Sequence, residues 1–284
     1  MAVSQSGRSW RKFKQNRFGV MGGVLFIILI LIAIFASYLA PNDPYRVNLR
    51  NRLSSYSREY PLGTDTMGRC VLSRLIFGSR VSVTVGFVVV GISIAIGGLI
   101  GIVAGYFGGI VDSLLMRLVD IVIAFPRFFL LLTVVAIFEP SIYNVMIILG
   151  VTGWTGEARI IRSLVLSIRE QVYIEAARAV GASNERIMVR HILPSTVVVI
   201  VVMATLGIAG AIITEAALGF FGLGVPPPTP SWGNMLFEGR GVFRRAQWLV
   251  IFPGLAIFIT VLGINFLGDG LRDALDPRHV LKKQ

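Results

Sequence analysis

The chain is poor in the residues that soluble chemistry depends on. Of its 284 residues one is cysteine and two are histidine, so Cys70 has no intrachain disulfide partner and no cysteine-based metal cluster can form. Charged residues make up 15% of the chain against 55% hydrophobic, and the mean hydropathy is +0.76. That balance is too apolar for an ordinary soluble domain and marks an integral membrane protein. Acidic residues are the scarcer sign, 15 Asp and Glu against 27 Lys and Arg, for a net charge of +12. A nucleic-acid partner would require a basic patch interleaved with stacking aromatics. Here the basic residues lie between apolar runs, as charges flanking membrane spans do. No GxxxxGK[ST] phosphate loop occurs, so the chain does not hydrolyse ATP by that route. Both histidines lie outside the apolar runs and no membrane aspartate pair is present, which excludes an intramembrane protease. No internal repeat, low-complexity tract or soluble domain stands out.

What is present is a series of apolar runs separated by short polar segments. Residues 1–18 form a basic tail, with Arg8, Arg11, Lys12, Lys14 and Arg17 and no acid before residue 18, which holds the N-terminus in the cytoplasm. Spans are expected at about 19–40, 81–105, 111–138, 141–158, 195–221 and 247–267, each with enough apolar length to cross about 30 Å of hydrocarbon once the charged fourth span continues beyond the bilayer. The first is too long for a signal peptide and has no Ala-x-Ala site before Pro41, so it reads as an uncleaved helix. Residues 41–80 and 222–246 become outer loops, 171–194 a cytoplasmic element and 269–284 a cytoplasmic tail. The loop 41–80 contains seven arginines, against the usual charge bias. Its segment from Arg69 to Arg80 reads as an amphipathic helix whose arginines reach the interface.

The long polar interruption between two apolar segments is Gln171 to Pro194, QVYIEAARAVGASNERIMVRHILP. It must fold outside the lipid. Val172 to Val180 favours a helix, Gly181 can take the left-handed conformation that ends one, and Ser183 or Asn184 can cap the next. Glu185 falls in the first turn of that second helix, where a negative charge suits the dipole. Pro194 marks the transition to the following span. Ala176, Ala177 and Ala182 leave a low surface rimmed by Glu175, Arg178, Glu185 and Arg186, the shape of a docking knob.

Glu175, Ala176, Ala177, Gly181, Leu193 and Pro194 fall where the EAA signature of bacterial and archaeal ABC importer permeases has them, and the chain resembles that family. Further stretches are similar to its peptide and nickel branch, and to the C-type subunit in particular: PLGTDTMGR at Pro61 to Arg69, TEAALGFFGLGVPPPTPSWGNML at Thr214 to Leu236, and LGDGLRDALDPR at Leu267 to Arg278. Cys70 departs from the pattern, which has an aspartate there. The resemblance implies an all-α polytopic membrane protein of six transmembrane helices, the type I importer permease fold, with cytoplasmic EAA coupling helices. It also implies a homologous B-type permease, two ATPase subunits that bind ATP and Mg, and an extracytoplasmic solute-binding protein. The chain itself would hold no cofactor and no metal and carry no catalytic residue. Glu175, Ala176, Ala177, Arg178, Gly181, Glu185, Leu193 and Pro194 would couple it to the ATPases. The substrate would be a di- or oligopeptide, with nickel chelates or glutathione-like solutes as alternatives; a secondary transporter or channel is the rival of another class, and it has no use for a coupling segment.

Among the ionisable residues within expected spans, Arg127, Asp120 and Glu215 are the candidates for the translocation path. Arg127 falls about 15 Å from the cytoplasmic end of the third, where three readings stand open: it snorkels, pairs with Asp120 seven residues earlier, or meets a substrate carboxylate. Glu215 comes about 20 residues into the fifth span, near the outer interface. Either it is an interfacial group of its own bundle or it belongs to an outer gate. Pro228, Pro230, Ser231, Trp232 and Gly233 are expected to form an ordered outer surface facing the binding protein.

Overall fold

The computed structural model describes residues 11–137 and 141–275. The start of the basic tail, the turn at Pro140, the end of the expected third span at Phe138 and the basic C-terminal residues lie outside the described residues. The rest is helical, with no strand among the described residues beyond a single bridge between Thr64 and Cys70.

Helix α1, Arg17–Ile34, is capped by Asn16, whose side chain accepts a hydrogen bond from the Gly19 amide. It bends at Phe35 and continues through Ala36–Leu39. Helix α2, Val71–Phe107, is a single element of 37 residues; the arginine-bearing stretch before Val81 is its first turns. Helices α3, Gly109–Ala124, and α4, Arg127–Ile137, follow. They are separate because Pro126 bars Phe125 from the helical region and holds it extended at ψ 130°. Helix α5, Ile142–Arg169, starts on the Ser141 cap. After the short helix α6, Val172–Ala179, a continuous helical path from Asn184 leads into α7, Leu193–Phe220. Helix α8, Trp232–Arg240, is a short helix before α9, Trp248–Leu275, which closes the bundle. Among the described residues, four helical stretches are long and apolar enough to cross a membrane: Arg17–Ile34, Val71–Phe107, Asn184–Phe220 and Trp248–Leu275.

Glycine sets how closely these helices approach. A Cβ at Gly97 would come 2.6 Å from the carbonyl of Trp154, one at Gly101 2.7 Å from that of Ala158, and one at Gly105 2.8 Å from Val165 Cβ. These contacts climb in the same order along both chains, so α2 and α5 run parallel through a small-residue seam. Helices α1 and α9 run antiparallel, Gly19 against Gly270 and Gly22 against Gly263; the Asn16 amide also donates to Asp273 at 3.1 Å. The shared core of α2, α5, α7 and α9 contains Val85, Val89, Leu149, Ile212 and Ile264. A second cluster, Tyr106, Ile161, Val165, Ile174, Ile187 and Ile192, lies at the end bearing the polar interruption.

Candidate functional site

The polar segment folds as helix, turn, helix. Helix α6 ends in paired bonds, Gly181 N–H to the Arg178 carbonyl at 2.9 Å and Ala182 N–H to that of Ala177 at 3.0 Å, the double closure of a Schellman turn. Gly181 has φ +82°, a conformation costly for residues with a Cβ. Ser183 caps the next turn by accepting from the Arg186 amide.

The segment is anchored from beneath. Ile174, Ile187 and Ile192 are fully buried against α2 and α5. Tyr106 at the end of α2 donates its hydroxyl to Asn184 Oδ1 at 2.7 Å, and the Arg178 guanidinium lies 5.3 Å from its ring centroid. Glu175, Ala176, Arg178 and Glu185 remain exposed, and Val172 and Val180 add apolar surface. Ala177 and Ala182 differ from expectation: they are half-buried and pack inward on the isoleucine cluster, because the turn rotates them towards α2. The outer face is therefore Val172, Ala176 and Val180 within a charged rim.

Pro194 does not interrupt the helix. Met188–Ile192 forms a π turn, and Pro194 sits in the first turn of α7 just after it. The wider turn shifts the hydrogen-bond register at the position where proline has no N–H to offer. Leu193 is partly exposed beside it.

Two ionic features lie elsewhere. Asp120 pairs with Arg159 at 2.5 Å, not with Arg127; the break at Pro126 removes the common helical face that the sequence implied. Arg127, the first residue of α4, is exposed. Arg162 forms a bidentate pair with Asp112, tying α5 to the start of α3.

A buried network is assembled from segments distant in sequence. Arg69 bonds Asp65 at 2.6 Å and Glu238 at 2.9 Å, and Arg74 reaches Glu238 at 3.0 Å and Asp65 at 3.4 Å. Both guanidiniums are buried; they do not snorkel, because two carboxylates face them. Arg80 donates to the carbonyls of Ala33 and Ile34 and to Ser37 at the bend after α1. Three of the seven arginines in residues 41–80 are thus used internally. Cys70, buried between Arg69 and Val71, takes no part. The sequence hinted at this network only through Asp65 and Arg69, four residues apart; Glu238 carried no signal.

Glu215 is fully buried on α7 beside Ser231, with neither carboxylate oxygen in a hydrogen bond of regular geometry. Interior packing also claims most of the expected outer surface. Ser231 forms a capping box with Asn234, the Trp232 indole donates to the Leu75 carbonyl at 3.0 Å, and Gly233 packs on Gly219 and Ala216. Pro230 is buried as well, while Pro228 is exposed.

Comparison with known proteins agrees with this architecture. Residues 97–280 match the model of the binding-protein-dependent transport system inner membrane component. Residues 4–57 match the N-terminal TM domain of oligopeptide transport permease C. The dipeptide transport system permease protein DppC of Alkalihalophilus pseudofirmus is 43% identical over 98% of this chain and 91% of its own length. That of Haemophilus influenzae is 42% identical over 95% of this chain and 93% of its own. The glutathione transport system permease protein GsiD of Pectobacterium atrosepticum is 42% identical over 95% and 90%. These relatives are transport permease subunits and not enzymes. Helical architecture, four long apolar helices and matches over nearly the whole length lead to one assignment: the chain belongs to the inner membrane components of binding-protein-dependent transport systems, as a C-type permease of ABC importers.

Proposed function

We propose that this chain forms half of the translocation pathway for di- and oligopeptides and transmits ATPase closure through residues 171–194. Its partners are a homologous B-type permease, two ATPase subunits carrying ATP and Mg, and an extracytoplasmic solute-binding protein. The observation that carries the coupling role is the anchored turn. Glu175, Ala176, Arg178, Gly181 and Glu185 belong to a compact protrusion whose underside is fixed to α2 and α5, so force applied there reaches the bundle.

Six crossings, with the N-terminus and residues 269–284 in the cytoplasm of a bacterial or archaeal inner membrane, fit this role. Support comes from the parallel α2 and α5, which need α3 and α4 as the return crossing. The expected domain division follows: tail 1–18, membrane domain 19–268, outer loops 41–80 and 222–246, and tail 269–284. At the outer side Pro228 is the accessible candidate for contact with the binding protein; Pro230, Ser231, Trp232 and Gly233 hold α8 in position for it. Glu215 behind Ser231 belongs to that same outer support.

The test is uptake of a peptide panel and ATP hydrolysis by the chain reconstituted with its co-purifying subunits. Peptide uptake dependent on ATP supports the proposal; wild-type coupling after Gly181→Val removes it. A second reading, transport of glutathione-like solutes, is supported by the similarity to GsiD and is distinguished by including glutathione in the panel.

A further inference from the structure

The break between α3 and α4 leaves an ionic pair open within the bundle. Arg127 begins α4, and its Nη2 lies over Gly153, 3.1 Å from where a Cβ would stand. One turn further along α5 is Glu157, whose Oε2 is buried and has no hydrogen-bond partner. Arg127 and Glu157 thus stand one turn apart along α5 without a salt bridge between them, and Asp120 is already committed to Arg159. By helical rise Glu157 is about 22 Å from the outer end of α5 and about 18 Å from its inner end, which is bilayer depth.

An exposed guanidinium facing lipid at that depth is costly, so this face borders water or polar groups. Beside it runs a chain of aromatic rings. Phe128 meets Phe221 at 5.7 Å between centroids and Phe129 at 6.3 Å, and Phe221 meets Phe220 at 5.7 Å. All four rings are partly exposed. An exposed cation beside exposed apolar rings, with a buried carboxylate oxygen lacking a hydrogen-bond partner one turn along α5, matches a solute with an ammonium, a carboxylate and side chains.

We infer that Glu157 is a substrate-contacting residue of the pathway, holding the ammonium of a zwitterionic peptide while Arg127 holds its carboxylate. This rests on the peptide importer reading and extends it to Glu157, near the end of the expected fourth span. The carboxylate accepts from the ammonium, the guanidinium offers a bidentate fork, and the rings receive side chains without selecting among them.

The test uses the assembled complex in proteoliposomes. Glu157→Gln is expected to lower uptake of a dipeptide with free termini by about tenfold while ATP hydrolysis stimulated by the loaded binding protein stays within about twofold, and Glu157→Asp to recover part of the uptake. Separately, cysteines at 127 and 157 should react with a charged, impermeant thiol reagent and be protected by saturating dipeptide during turnover. Unreactive cysteines would place the pair against lipid or the second permease and overturn the inference, as would equal loss of uptake and hydrolysis in both Glu157 variants. Dipeptide uptake unchanged by Glu157→Gln fails this inference alone; absence of peptide uptake by the wild-type complex fails the importer reading beneath it.

Discussion

Arg74 is 1% exposed and faces both Asp65 and Glu238, so its contribution depends on what its removal would strand. Arg74→Met leaves two carboxylates to Arg69 alone in a buried site, and should destabilise the outer assembly by about 3–5 kcal/mol. The check is the thermal unfolding of the purified complex. Replacing Asp65, Arg69, Arg74 and Glu238 together by apolar residues should cost less than Arg74→Met, since no charge of the network is then left unpaired. Arg127 differs in kind, because it is exposed and unpaired with Asp120. If it meets substrate, Arg127→Ala should retain assembly and basal hydrolysis while uptake of free-acid peptides falls; equal uptake of free-acid and amidated peptides would exclude that contact. Little change on Arg127→Lys, for both peptide forms, would instead mark a snorkelling residue.

At the scale of elements, the coupling turn depends on backbone conformation more than on side-chain contact. A Cβ at Gly181 would meet open space, yet the φ of +82° disfavours any side chain there. Gly181→Val should therefore strain the turn by about 1–3 kcal/mol, lowering coupled ATP hydrolysis and uptake without loss of membrane insertion, as measured by expression in the membrane fraction. Tyr106→Phe removes the bond to Asn184 but keeps the ring beneath Arg178, so it should have the smaller effect in the same assay. The seam of α2 against α5 is the opposite case. Gly101→Val places a branched side chain where a Cβ already comes 2.7 Å from the Ala158 carbonyl, and should reduce recovery of folded permease, since overpacking costs about 1–3 kcal/mol or more.

For the whole molecule, a six-crossing arrangement separates Ser55 in the outer loop from Ser183 in the coupling turn, both exposed. A cysteine at 55 should label with an impermeant thiol reagent in intact cells, and one at 183 should label only after permeabilisation; labelling of 183 from outside would invert the orientation. Cys70, at 2% exposure, should stay silent, and Ser231 is unsuitable as a probe because it is buried as a helix cap. Membrane class, apolar segments and the helix–turn–helix at Gly181 were legible in the sequence, since each depends on local properties: hydropathy over a span, a glycine at a positive φ, a serine cap. The EAA resemblance located the segment for the same reason. Tertiary structure alone decided which residues face inward. Glu238 joins Arg69 and Arg74 across more than 160 positions, Trp232 and Ser231 turn from an expected surface into the interior, and Ala177 packs beneath the knob it was expected to cover. Asp120 lost Arg127 and gained Arg159 because one proline changed the direction of the helix between them. Such pairings depend on how helices distant in sequence are packed against each other, and residue spacing along a single helix holds no record of them.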